Sequence, residues 1–220
     1  MLGLLLSGVI AWTLESVKAQ SARWVALISV LGFAAFFIMS VVGAANSGAN
    51  FNELVELTRV SWIRVFNVEY AIALDYLSII LISLTFFLAF ICVLVSWQEI
   101  QSKTGFYYFN LLATFAGIIG VFSAVDLFLF FFFWEVMLLP MTAIIAIWGH
   151  ENRHFAAIKF FIFTQVSSLM MLVAIIAMAY FHYNQTGYLS FNYQDWLLLD
   201  IPLEQARYIM FGFFIAFAVK

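Results

Sequence analysis

Residues 127–148 read LFLFFFFWEVMLLPMTAIIAIW, an apolar run with one ionisable side chain, Glu135, near its middle and one proline, Pro140, beyond it. A bilayer core of about 30 Å takes about 20 such residues of helix at a rise of 1.5 Å each. The same pattern recurs on both sides, at Trp24–Ala45, Tyr76–Trp97, Phe106–Val125 and Phe155–Phe181, with a shorter opening run Leu2–Leu14 and a last run Tyr208–Val219. The 220 residues are 66% hydrophobic and 10% charged, against roughly 45–50% and 25% in an ordinary soluble domain, which excludes a soluble globular protein. The predicted fold is an all-α polytopic membrane protein with six complete transmembrane helices and a truncated seventh. The opening run has no positive charge before Leu2, so it reads as a first membrane helix rather than a signal peptide.

Other classes fall with the charge count. A net charge of −3 without a basic cluster lacks the electrostatic footprint of nucleic-acid binding. The one cysteine, Cys92, sits in an apolar run and by itself builds neither a disulfide framework nor a metal centre. No Gly-rich phosphate loop occurs. His150 and His154 have metal-ligand spacing, but Arg153 lies between them and no third ligand is near, so a solvated turn is the better reading.

Orientation follows the lysines and arginines. The short connections 15–23, 98–105 and 149–154 carry Lys18, Arg23, Lys103 and Arg153. The long ones, 46–75 and 182–207, carry Arg59, Arg64 and Arg207 among many acidic residues. The short side is therefore expected to be cytoplasmic and the N-terminus extracytoplasmic. From Val68, residues Val68, Tyr70, Ile72 and Leu74 alternate with Glu69, Ala71, Ala73 and Asp75, the period of a half-buried strand, so a small extracytoplasmic β element is expected in 46–75.

With the loop charges set aside, three remain inside apolar runs: Glu135, Lys159 and Lys220. A charge near a membrane-helix centre costs about 2.5–3.5 kcal/mol on insertion scales, so such residues face the bundle interior and mark ion or proton pathways. Phe131, Leu139, Thr142 and Ala146 share the helical face of Glu135 and suit an inward-facing side. Pro140 leaves the carbonyl of Val136 without its helical donor and predicts a kink near Glu135. Lys220, thirteenth from Tyr208, lies roughly 18 Å into its helix; a chain ending there reads as the N-terminal part of a longer one. Lys159, about one turn inside its helix end, is read as a relay or as a lysine snorkelling to the interface. Pairing Glu135 with a lysine at 4 Å is worth about 4 kcal/mol at an effective dielectric of 20, and separating them drives off the lysine proton. That is a proton-transfer switch without a nucleophile, metal or redox centre, so its energy must come from elsewhere.

Residues 126–141 (DLFLFFFFWEVMLLPM), 147–150 (IWGH) and 159–165 (KFFIFTQ) closely resemble the antiporter-like membrane subunits of respiratory NADH:quinone oxidoreductase (complex I). Residues 182–187 (HYNQTG), 191–193 (FNY) and 212–220 (GFFIAFAVK) narrow the resemblance to one subunit type within that family. The resemblance is firm from Ser96 to Lys220 and looser before it. It implies fourteen helices in the intact subunit, two inverted repeats each building half of a proton path, and correspondence of Glu135, Lys159 and Lys220 to the family's helix-five glutamate, helix-six lysine and helix-seven lysine. On this reading residues 1–97 hold three N-terminal helices with the loop 46–75, and 98–220 hold helices four to seven of a first, incomplete repeat. The family's acidic-Gly-Leu-Ser turn reads Asp75-Tyr76-Leu77-Ser78 here, with Tyr76 replacing the glycine.

The resemblance implies a proton-translocating subunit in a bacterial plasma membrane, partnered by other complex I membrane subunits and lipid. NAD, FMN, iron–sulfur clusters and quinone are expected only in other subunits. The alternatives are a subunit of a multisubunit cation/proton antiporter, against which the 182–193 loop speaks, and a structural subunit in which Glu135 and Lys220 form an inert ion pair.

Overall fold

A computed structural model describes residues 1–15 and 19–220. Lys18, one of the basic residues behind the expected orientation, lies outside them. In chain order the described residues form α1 (Leu2–Leu14), α2 (Ala19–Asn46), β1 (Val55–Ile63), β2 (Val68–Leu74), α3 (Tyr76–Glu99), α4 (Thr104–Ser123), α5 (Leu127–Val136), α6 (Leu138–Trp148), α7 (Arg153–Thr186), α8 (Tyr193–Trp196) and α9 (Leu203–Val219). Among the described residues, five helical segments are long and apolar enough to cross a membrane: Gln20–Asn46, Tyr76–Glu99, Thr104–Ser123, Leu127–Trp148 taken across its break, and Arg153–Thr186. The expected first and seventh crossings fall on shorter helices, α1 with 13 residues and α9 with 17.

The central helix is α4, which packs against α1, α2, α3, α5 and α6. On one side Leu4, Ala11, Ala26, Val30, Ile82, Ala89 and Val93 close around Tyr108 and Leu112. On the other, Trp134, Met137, Met171, Ile175 and Ala216 form a second core joining α5, α7 and α9. Small residues allow the close approaches: a Cβ on Gly212 of α9 would lie 3.0 Å from the Met170 carbonyl oxygen of α7.

Several boundaries differ from the sequence reading. α7 continues to Thr186 and is stopped by Gly187 at φ +83, a left-handed conformation that suits glycine. His182 is buried inside α7, with Nδ1 3.0 Å from the Tyr188 carbonyl oxygen. α9 begins at Leu203, directly after Pro202, because Glu204 and Arg207 tolerate a helical first turn that their polarity had hidden. Lys220 therefore lies about 26 Å along its helix rather than 18. Arg23 is not in a connection but in α2, where Nη2 donates to the Ile100 carbonyl at 2.9 Å.

The expected strand from Val68 forms as β2 and pairs antiparallel with β1. It is not half-buried, however: Ala71, Ile72, Ala73 and Leu74 are all buried. The strand's second edge pairs with the segment after α4, with Val125 N donating to Ala71 O at 3.0 Å and Ile72 bridged to Ala124, while Ala71 and Ala73 pack with Val125 and Leu74 joins the core around α4. The substituted turn also forms. Asp75 accepts from Ser78 N at 2.7 Å in a reciprocal capping box, and Tyr76 enters α3 as an ordinary helical residue against Phe51. Burial pushes the Asp75 carboxyl up, but the hydrogen bonds from Ser78 outweigh it and leave it below its ordinary value.

One buried carboxylate ties this end together. Asp126, 1% exposed, caps α5 through Oδ1, which accepts from Phe128 N and Leu129 N, while Oδ2 accepts Glu69 N of β2 at 2.9 Å. Its backbone bridges to Asn192, which in turn caps α8. Burial pushes the Asp126 carboxyl up, and these three N–H bonds hold it back. Replacing Asp126 with Ala removes a helix cap and orphans a buried N–H, so Asp126→Ala should destabilise the fold by about 2–4 kcal/mol, read as a lowered midpoint in thermal unfolding in detergent.

Candidate functional site

The run 127–148 is not one helix. α5 ends at Val136 and α6 begins at Leu138, with Met137 between them. The cause is Pro140, which has no N–H for the Val136 carbonyl. The last carbonyls of a helix lack intrahelical donors, and here the orphaned ones within α5 begin at Trp134. Phe133 O takes the Met137 N–H at 3.3 Å, and Trp134 O takes the ammonium of Lys220 at 2.7 Å. The Lys220 Nζ also sits 4.4 Å from the centre of the Trp134 ring. A cation is thus placed at the negative end of α5.

Glu135 follows directly. It is half-buried, and its Oε1 is buried without a hydrogen-bond partner, as is the Trp134 indole N–H. Buried polar atoms are nearly always satisfied, so this oxygen is an exception in the bundle, and it lies within electrostatic range of the Lys220 ammonium without touching it. Among the described residues the ion pairs are Arg59 with Glu56 and Glu69, in the hairpin; Glu135 and Lys220 form none. The inert-pair reading finds no contact to rest on.

The wall behind the break is α4. A Cβ on Gly120 would lie 2.4 Å from the Phe133 ring, so only glycine lets Phe133 seat there. Lys220 arrives from the other side, on α9, held by the close packing of Gly212 on α7.

The structure brings together Glu135, Lys220 and Pro140. It does not bring Lys159 to them: Lys159 is exposed on α7, 5.8 Å from the Phe163 ring one turn on. The face predicted to turn inward with Glu135 does so only in part. Leu139 is 66% exposed, while Phe131, Thr142 and Ala146 are half-buried, because the break at Met137 ends the single helical register that the prediction assumed. The residue that sequence reasoning missed is Trp134, to which it gave no role. It is buried, with Phe217 edge-on at 5.1 Å and Phe130 at 5.7 Å. The available signal was its position, next to the glutamate and just ahead of a proline-induced helix end.

Residues 124–220 match the family model described as NADH:quinone oxidoreductase/Mrp antiporter, TM, and the chain belongs to that family of membrane proteins. NADH-quinone oxidoreductase subunit M of Escherichia coli (strain K12) is 41% identical over 225 residues, which cover 98% of this chain and 44% of that protein. The similarity therefore reaches well before Ser96, and the chain spans less than half the length of its curated relatives. Among solved structures, a chain of respiratory complex I from Thermus thermophilus with bound NADH superposes with a TM-score of 0.73 at 23% identity, over 98% of this chain and 43% of its own. A chain of the Mrp complex from Dietzia sp. DQ12-45-1b gives 0.78 at 18%, over 99% and 23%. These two share the fold.

The seat of Phe133 is directly testable. Gly120→Ala forces that ring against the broken segment and should cost about 1–3 kcal/mol, visible as a lowered unfolding midpoint, whereas Gly32→Ala, inside α2 where a Cβ meets nothing within 4 Å, should leave the stability unchanged or raise it by up to about 1 kcal/mol.

Proposed function

We propose that this chain is part of a proton-translocating membrane subunit of an NADH:quinone oxidoreductase, in which NADH oxidation and quinone reduction in other subunits drive proton movement through this one. The observation that carries the reading is the Lys220 ammonium on the Trp134 carbonyl at 2.7 Å, with the buried, unpartnered Oε1 of the next residue, Glu135, within electrostatic range. A lysine resting on neutral groups next to a free carboxylate has two alternatives: to remain there, or to pair with Glu135. Pairing favours the charged lysine, and withdrawal of the carboxylate favours release of its proton. Repeated exchange between the two moves a proton through a medium in which no unsatisfied charge persists.

On this reading no redox cofactor belongs to the chain; NAD, FMN, iron–sulfur clusters and quinone reside in partner subunits. Residues 98–220 supply the first repeat of an antiporter-like fold, and residues 1–97 the helices before it. The hairpin and the 187–200 segment lie on the extracytoplasmic face, with the N-terminus on that side, in a bacterial plasma membrane beside other antiporter-like subunits. The exposure of Lys159 suits the water-facing end of a path rather than its centre. The alternative, a subunit of a multisubunit cation/proton antiporter, shares the fold. Sequence identity favours the first reading: 41% along 98% of the chain to a subunit M, against 18% to a chain of an Mrp complex.

In membranes containing the intact subunit, Glu135→Gln should lower NADH-driven proton pumping by about tenfold or more, while the assembled peripheral arm still oxidises NADH with a soluble acceptor. Lys220→Ala should give a similar loss. Normal pumping by an assembled Glu135→Gln variant would sink the assignment. Cysteine labelling from either side of oriented vesicles should find position 65 accessible from outside and position 151 from inside; the reverse pattern overturns the orientation.

A further inference from the structure

We propose that Trp134 is a positioning residue for Lys220, its ring face holding the ammonium in place in the state in which Glu135 does not. The inference rests on the proton-switch reading above and adds a residue to it.

Three observations meet at this side chain. The Lys220 Nζ lies 4.4 Å from the ring centre, well inside the range at which a cation is attracted by an aromatic quadrupole, and the indole is the strongest of the natural rings in this respect. The same ammonium donates to the backbone carbonyl of the same residue at 2.7 Å, so ring and carbonyl form one cradle. The ring itself is fixed, being 8% exposed with Phe217 edge-on at 5.1 Å and Phe130 at 5.7 Å. Its indole N–H makes no hydrogen bond, so that group does not determine how the ring is held. Phe217 lies on α9, one turn before Lys220. The helix that carries the lysine thus also helps to orient the ring that receives it.

A purely packing role predicts that any ring of the same shape will serve. A positioning role predicts dependence on the ring's electron density, and the two separate by fluorination, which drains the quadrupole while hardly changing the shape. Mono-, di- and trifluorotryptophan are installed at position 134 of the intact subunit, and NADH-driven proton pumping is measured in membranes where the peripheral arm oxidises NADH normally. Pumping should fall stepwise along the series, reaching a total loss of about twofold to thirtyfold. The same series at Trp196, whose indole N–H bonds to Ser190 O and which carries no cation over its face, should leave pumping unchanged. A flat response at position 134, or an equal slope at position 196, overturns the proposal. If Glu135→Gln also pumps normally, the proton-switch reading itself has failed; if Glu135→Gln abolishes pumping while the series at 134 stays flat, only the role of Trp134 has.

Discussion

The interaction on which this molecule turns is a hydrogen bond that cannot be made. Pro140 has no N–H to give the Val136 carbonyl, and in hydrocarbon no water stands ready to replace it. The helix therefore ends, at Val136, and resumes at Leu138. Ending a helix inside an apolar bundle exposes carbonyls and concentrates the negative end of the helix dipole there. Lys220 answers both demands with one ammonium, on the Trp134 carbonyl. The break and the lysine are two halves of one solution, contributed by segments far apart in the chain.

Such a site works only if its walls are stiff. α4 provides one wall, with Gly120 letting Phe133 press against it, and α7 the other, with Gly212 seating α9. The end of α5 away from the break is pinned independently. Asp126 collects the α5 N-terminus, β2 and, through the backbone bridge to Asn192, the segment leading into α8. α5 is thus held by a charge-assisted cap at one end and left open at the other.

Much of this was legible in the sequence because a bilayer is an exacting solvent. Apolar length located the helices, the period of two located β2, and the scarcity of charge singled out Glu135 and Lys220. Pro140 announced a break close to where it occurs. The rest was hidden for identifiable reasons. Glu204 and Arg207 disguised the first turns of α9, since polarity there reports nearness to water and not the end of a helix. The both-sided burial of Ala71 to Leu74 depends on Val125 and Ala124, which no local period reveals. Trp134 was concealed by its company: within a row of phenylalanines an aromatic reads as packing, and only the arrival of α9 makes its face and carbonyl a cradle.

Magnitudes explain why this arrangement suits a switch better than a latch. A hydrogen bond from a charged donor contributes about 1.5–3 kcal/mol, and a cation over an aromatic face, at a residue as exposed as Lys220, about 0.5–1. An ion pair with Glu135 at 4 Å and an effective dielectric of 20 offers about 4. On the proposed exchange the two resting places of Lys220 differ by no more than about 2 kcal/mol. A lysine bound only by Glu135, with no cradle, would be locked by that pair. With a carboxylate absent and the cradle alone, nothing would draw the charge onward. On the proposed exchange a small displacement of Glu135, or a change of charge in a neighbouring element, is enough to decide between them, and Glu135 lies two residues before Met137, where the helical hydrogen-bond ladder is interrupted.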